Sequence, residues 1–343
     1  MQIPVGWLLD HRSPRKTASI MLSIGGGGGA LIFAMAQGPW GIYAAMALIG
    51  FGCSPVLMLA FYIFARSAPS DRFGTLAGLV VGLGSLGNLA ASVPLSWAMS
   101  LIGWRGTCLV LAGATVIISL ALSRFVQDPP AIDHSNVESR GGLRELVKIW
   151  PLYPILAMAA VAYAPAGGLR GSWAGGYLSD VYGLTSEGIG RVTFFMALSM
   201  IAGALAFGPM DRIIRSRKRI VLSGTLIALG CLVWLRLGAG SQSVWQISIL
   251  LVGIGFFGSA YGQIMNHGRT LVPAHLTGRG VTLINLFSIG GVGVFQIVSA
   301  GVFASTVEKG ADSLIGYKAV FGLFIISLTI GCLIYLTSKE QDT

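Results

Sequence analysis

Charge is scarce in this sequence. Only 10% of the residues are Asp, Glu, Lys or Arg, against roughly 25% in a soluble globular domain. With 54% apolar side chains and a mean hydropathy of +0.76, most of the folded surface cannot face water, which excludes an ordinary soluble domain. Carboxylates are the thinnest class: the 13 Asp and Glu all fall in loops or at the ends of apolar runs. Cysteine supplies no framework. Cys53, Cys108, Cys231 and Cys332 stand singly in apolar blocks without CxxC spacing, so neither a disulfide nor a metal site follows. Strict polar–apolar alternation is missing, which argues against a membrane β-barrel. The opening MQIPVGWLLDHRSPRK lacks the basic-then-apolar order of a signal peptide. No GK[ST] follows the glycines Gly25–Gly29, so they are not read as a phosphate loop. Clusters of His, Asp or Glu are also missing. No cofactor or metal is expected, and the chain does not read as an enzyme.

What is present is a series of long apolar runs. A helix crossing the hydrocarbon layer needs about 20 mostly apolar residues. Ten segments meet that need: 17–37, 41–64, 75–99, 103–122, 149–173, 190–210, 220–237, 244–266, 280–304 and 315–336. The piece before Asp10 is an eleventh, too short to span. Helices are expected because lipid offers no partner to open backbone groups. If the loop after residue 9 is cytoplasmic, only Arg105, Arg170, Arg191, Arg236, Lys309 and Lys318 of the 23 basic residues fall outside or within spans. The remaining 17 gather on the cytoplasmic side, as the positive-inside rule requires. The formal net charge of +10 is thereby read as topology. The basic residues do not form one aromatic-studded face, so no nucleic acid is expected as a partner. The 49 glycines suit closely packed membrane helices, with Gly25–Gly29 and Gly78, Gly82, Gly84 and Gly87 expected where backbones approach.

The chain also repeats itself at an offset of about 200 residues. GWLLDHRSPRK (6–16) and FGPMDRIIRSRKR (207–219) both end an apolar piece with Asp and a basic turn. Pro69 and Gly74 recur as Pro273 and Gly278, and the glycines of 81–88 match those of 287–294. The second half has six apolar elements; the first has four complete spans and the tail of a fifth. The expected layout is an incomplete N-terminal bundle over 1–122, a polar cytoplasmic linker over 123–148, and a six-helix bundle over 149–343.

Residues 6–16, the degenerate copy from Gly208 to Arg212, the GWR of 103–105 and the GYKAVF of 316–321 together resemble the major facilitator superfamily, over essentially the whole chain. The family's loop motif usually has glycine where this chain has Ser13 or Pro14. The resemblance implies an all-α polytopic membrane protein with two helical bundles, the first lacking one helix and most of another. It implies transport of a small-molecule substrate, secondary active or facilitative, by rocking of the bundles about a central site. The expected setting is the lipid of the cell inner membrane, as a monomer with a cytoplasmic C-terminus. The competing expectation is a non-transporting protein of the same fold, an assembly or sensory partner or an inactive truncated product.

The resemblance further implies a state lock at the cytoplasmic face. Asp10 would engage an arginine and helix end of a neighbouring span, with Arg66 and Arg72 as candidate partners and Arg12 and Arg15 in the same basic turn. Asp211 and Arg212 form the weaker copy. A carboxylate near a helix N-terminus gains about 0.3–1 kcal/mol. The residues themselves point to a second site. Arg170, in YAPAGGLRGSW near the outer end of its span, is costly in a membrane unless it faces a cavity or partner. Tyr163 lies seven positions earlier, hence on the same face, and Pro165, Gly167, Gly168 and Gly171 predict a bend between them. Arginine favours an anionic substrate, carboxylate or phosphate. The alternative is an arginine snorkelling to the interface beside Trp173. Asn88 and Gln296 are the deepest amides and are expected to line the same polar path. Gln263, Asn266 and Asn285 are read as packing residues, and His267 as a satisfied interface histidine.

Overall fold

The computed structural model describes residues 13–67, 83–84, 86–87, 89–91, 93–128, 145–146, 148–208, 210, 214, 216–273, 277–308 and 312–340. The chain divides into two compact units, Met1–Val137 and Glu138–Thr343. All regular structure among the described residues is helical. The first unit holds α1 (Pro14–Met35), α2 (Pro39–Ser67) and α3 (Val93–Phe125); the second holds α4 (Trp150–Tyr182), α5 (Ser186–Phe207), α6 (Arg217–Leu237), α7 (Val244–Leu271), α8 (Thr277–Val307) and α9 (Ser313–Leu336). Among the described residues these nine are long and apolar enough to cross a membrane. Their outer faces carry exposed apolar side chains such as Ile297, Ile326, Ile330 and Leu333. Water would penalise such a surface, and lipid does not.

Two boundaries differ from the sequence reading. The expected spans 75–99 and 103–122 meet at Gly103, where φ 71 and ψ 168 break the helical run of α3. Residues 75–82 lie outside the described residues. That backbone region is open only to glycine. Gly103→Ala is expected to cost about 1–3 kcal/mol and to lower the thermal midpoint in detergent. Gly113→Ala, whose new methyl would meet nothing within 4 Å, should leave the midpoint unchanged or raised. The second difference is α4, which runs on to Tyr182 instead of ending at 173. Gly, Ser and Asp dilute the hydropathy of 174–180, but the helix stops only at Gly183, in the left-handed conformation. There Gly183 and Leu184 donate back to the Ser179 and Leu178 carbonyls, closing the open helix end.

Gly25 and Gly52 explain part of the glycine run. A Cβ on Gly25 would lie 2.7 Å from the Gly52 amide nitrogen, and one on Gly52 would lie 2.6 Å from the Gly25 Cα. The α1 and α2 backbones are in direct contact there, beside a π-helical turn over Leu22–Gly27. Gly84 and Gly87, by contrast, meet nothing within 4 Å, so the close approach expected for them is not found; Gly78 and Gly82 lie outside the described residues. The second unit packs around buried Tyr177, Phe321, Phe324 and Leu328, with a second cluster around Ile155, Met158, Ile264 and Tyr335.

Candidate functional site

Helix α4 is interrupted twice where its sequence predicted a bend. Tyr163 leaves the regular helix (φ −90, ψ −15) between Tyr153–Ala162 and Ala164–Gly168. Leu169–Trp173 then form a π-helical turn containing Arg170, an irregularity found disproportionately at functional sites. With α4 reaching Tyr182, Arg170 is twelve residues from the helix end, or about 18 Å at the α-helical rise. The expectation that it lies near the outer end of its span is corrected accordingly. Arg170 is half-buried, and the Tyr163 hydroxyl is close enough to interact with it electrostatically.

Other elements of the second unit converge there. Helix α7 is broken by a 3₁₀ turn, Ser259–Tyr261, and the Tyr261 ring stacks on the Tyr163 ring with centroids 4.2 Å apart. A Cβ on Gly167 would come within 3.3 Å of both the Tyr163 ring and Val292 of α8, so glycine there lets the ring lie close to the helix. Gln296 of α8 reaches the same turn: its Nε2 would be 3.4 Å from a Cβ on Gly171. Trp173 donates to Ser299 at 2.9 Å, fixing α4 to α8 one turn beyond. Arg170, Tyr163 and Gln296 are thus gathered in one region. Asn88 lies outside the described residues. Tyr261 was missed because a tyrosine at the end of an apolar run reads as an interface anchor.

Asp10, Arg12, Arg72, Asp211 and Arg212 lie outside the described residues, as does the side chain of Arg66. Arg15 is described, and its partner is neither Arg66 nor Arg72. Asp128, just past α3, accepts from the Ser13 hydroxyl and, at 2.8 Å, from the Arg15 amide. The Arg15 Nε lies 4.0 Å from the same carboxylate. The second unit repeats this arrangement. Glu340, just past α9, accepts from the Ser216 hydroxyl at 2.8 Å and the Lys218 amide at 3.1 Å. Each serine also caps its own helix, accepting from Lys16 or Arg219. A carboxylate therefore answers the open N–H groups at the start of α1 and again at α6. Lys218 returns the tie, donating to the Leu336 and Ser338 carbonyls at 2.6 and 2.7 Å. The signal for both acids was available: each half ends in a carboxylate three or four residues beyond its last span.

The opposite ends of these helix pairs are joined by arginine. Arg105 donates to the Ala34 and Ala36 carbonyls, each at 3.1 Å, and lies over the Trp104 ring; with the Gly103 turn this accounts for the GWR triplet. In the second unit Arg236 of α6 donates to the Lys318 carbonyl of α9 at 3.1 Å. His267 is satisfied, as expected, but it is buried rather than interfacial. Its Nδ1 pairs with the Tyr335 hydroxyl at 2.6 Å and its Nε2 with the Lys339 carbonyl at 3.1 Å. Since a carbonyl only accepts, Nε2 carries the proton and Nδ1 accepts from Tyr335. Gln263 is a packing residue: its amide donates to the Phe207 and Gly208 carbonyls.

Burial pushes the Glu340 carboxyl up, but the bonds from Ser216 and Lys218, with the nearby His267, outweigh it and hold the group below its ordinary value. A depressed acid stabilises the fold above its unfolded range and loses that contribution as pH falls through the folded value. Thermal midpoints are therefore expected to fall as pH is lowered below the ordinary glutamate range. Glu340→Gln should lower the midpoint at neutral pH and flatten that slope.

An all-helical membrane protein with interrupted helices meeting at a half-buried arginine has the architecture of a solute carrier. Residues 1–296 match the sequence profile of the Major Facilitator Superfamily, and the chain belongs to that family. Solved structures agree on the fold. A bacterial homolog of the human lysosomal transporter Spinster, inward-facing and unoccupied, superposes with a TM-score of 0.75 at 16% identity, over 98% of this chain and 85% of that one. A point mutant of the nucleoside transporter NupG superposes with a TM-score of 0.75 at 14% identity, over 98% of this chain and 86% of that one. No curated protein sequence matches the chain. Membership makes this a multi-pass membrane protein of a solute-transporting family.

Proposed function

We propose that this chain moves a small organic anion across the cell inner membrane by alternating access, acting as a monomer with its C-terminus in the cytoplasm. In this reading residues 1–122 and 149–343 are the moving bundles and 123–148 their linker. Arg170, with Gln296 and Tyr163 beside it, binds the anion; Asn88 contributes from the first bundle. The observation that carries the reading is Arg170 in a π-helical turn about 18 Å inside α4. So deep an arginine needs an aqueous path or a counter-charge, and its planar fork matches carboxylate or phosphate oxygens. Helix interruptions on α4 and α7 are where carriers of this construction place binding groups. Asp10, Arg12, Arg15, Arg66, Arg72, Asp211 and Arg212 are assigned to cytoplasmic gating.

Uptake of labelled organic carboxylates and phosphate monoesters into proteoliposomes tests this. Saturable uptake of at least one, several-fold above empty liposomes and lost with Arg170→Gln, is expected. Uptake indistinguishable from empty liposomes across both classes would contradict the reading.

A further inference from the structure

The tyrosines of the second unit fall into two groups. Tyr177 and Tyr182 share a hydrogen bond, and the Gly240 amide donates to Tyr182. Tyr317 donates to Asp180 at 2.7 Å, and Tyr335 pairs with His267. These four hydroxyls are consumed by the fold. Tyr163 and Tyr261 differ: among the described residues neither hydroxyl has a hydrogen-bond partner, although both rings are half-buried. An unbonded hydroxyl facing hydrocarbon is costly, so the free edge of this pair faces something polar.

Both tyrosines also stand at breaks in their helices, Tyr163 between two segments of α4 and Tyr261 in the 3₁₀ turn of α7. The two breaks face each other, and the rings stack across them at 26° between planes. Gly167 on one side leaves the Tyr163 ring flat against Val292. Two near-parallel aromatic rings, with hydroxyl edges free and Arg170 two turns along the same helix face, make a flat surface beside a cation.

We propose that the transported anion carries a planar unsaturated ring, which lies against the Tyr163–Tyr261 pair while Arg170 takes its charged group. The inference deepens the anion reading above and rests on it. Ring-on-ring contact adds a preference for planar over puckered rings, because only a flat π-system reaches offset-stacking distance across its whole face. Tyr261 is then a specificity residue, and its hydroxyl is secondary to its ring.

Binding of benzoate and cyclohexanecarboxylate to the purified full chain in detergent, by calorimetry, separates the cases. The two probes share charge and approximate size and differ in planarity. The wild type is expected to bind benzoate about three- to tenfold more tightly, the range an aromatic contact supports. Tyr261→Phe should keep that preference and Tyr261→Leu should abolish it, with thermal unfolding confirming that both variants fold. Equal affinities in the wild type, a preference surviving Tyr261→Leu, or no benzoate binding would each overturn the ring inference. Arg170→Gln reports separately on the anion reading. If it loses both probes while the wild type binds them equally, the anion reading stands and the ring inference falls. If it keeps both affinities, the anion reading falls.

Discussion

Arg170→Ala is expected to weaken binding of the transported anion by about 10- to 100-fold while leaving the thermal midpoint nearly unchanged. A hydrogen bond to a charged group contributes about 1.5–3 kcal/mol, and 1.4 kcal/mol is a factor of ten in affinity. Stability should be spared because the side chain is half-buried and its removal deletes a desolvated charge from the span. Arg170→Lys should recover only part of the loss, since a point charge keeps the attraction but not the two-pronged geometry. Substrate titrations with all three proteins, together with unfolding curves, check this. A fall in midpoint of many degrees in the alanine variant would recast Arg170 as a structural residue.

Gly52→Val should have the largest effect on folding. A Cβ there would lie 2.6 Å from the Gly25 Cα and would overlap the Gly26 nitrogen as well. Both are main-chain atoms that no rotamer change can move, and valine adds two methyls beyond the Cβ. Overpacking usually costs about 1–3 kcal/mol. Here α1 and α2 must separate along their contact, so the upper end of that range or beyond is expected. The readout is the monodisperse fraction on size exclusion and the thermal midpoint in one detergent. Gly50→Val, whose Cβ would meet nothing within 4 Å, serves as the control and should behave as wild type.

Much of this architecture is legible in the sequence because a membrane helix is an extended one-dimensional signal. The long apolar runs located the helices, and Arg170 stood out because charge inside such a run is anomalous. The seven-residue spacing to Tyr163 put the two on one face, and they lie close enough to interact. Hydropathy failed where polar residues are held by other helices instead of by water. The stretch 174–182 reads as a loop, yet its Asp180 is met by Tyr317 and its end is closed by Gly183. Glycine spacing proved equally ambiguous: Gly25 lies in a backbone contact and Gly84 in open space, with the same local pattern. Asp128, Glu340 and Tyr261 act through partners roughly 90 to 125 positions away in the chain. Local sequence carries no record of such a distance, although the two-fold repeat would have paired Asp128 with Glu340 had the acids beyond each last span been compared.

The account depends on the face of α4 bearing Tyr163, Gly167, Arg170 and Gly171 meeting water and solute rather than hydrocarbon. The direct measurement is the reactivity of a single cysteine at position 171, with the four native cysteines replaced by serine, towards a charged, membrane-impermeant thiol reagent in proteoliposomes. Gly171 is exposed and a Cβ there would make only ordinary contact with Gln296, so Gly171→Cys should be tolerated. A rate at least about tenfold above that of a cysteine replacing the outward-facing Ile330, slowed by the transported anion, is predicted. Labelling no faster than at position 330, with no protection by any carboxylate or phosphate ester, would contradict it.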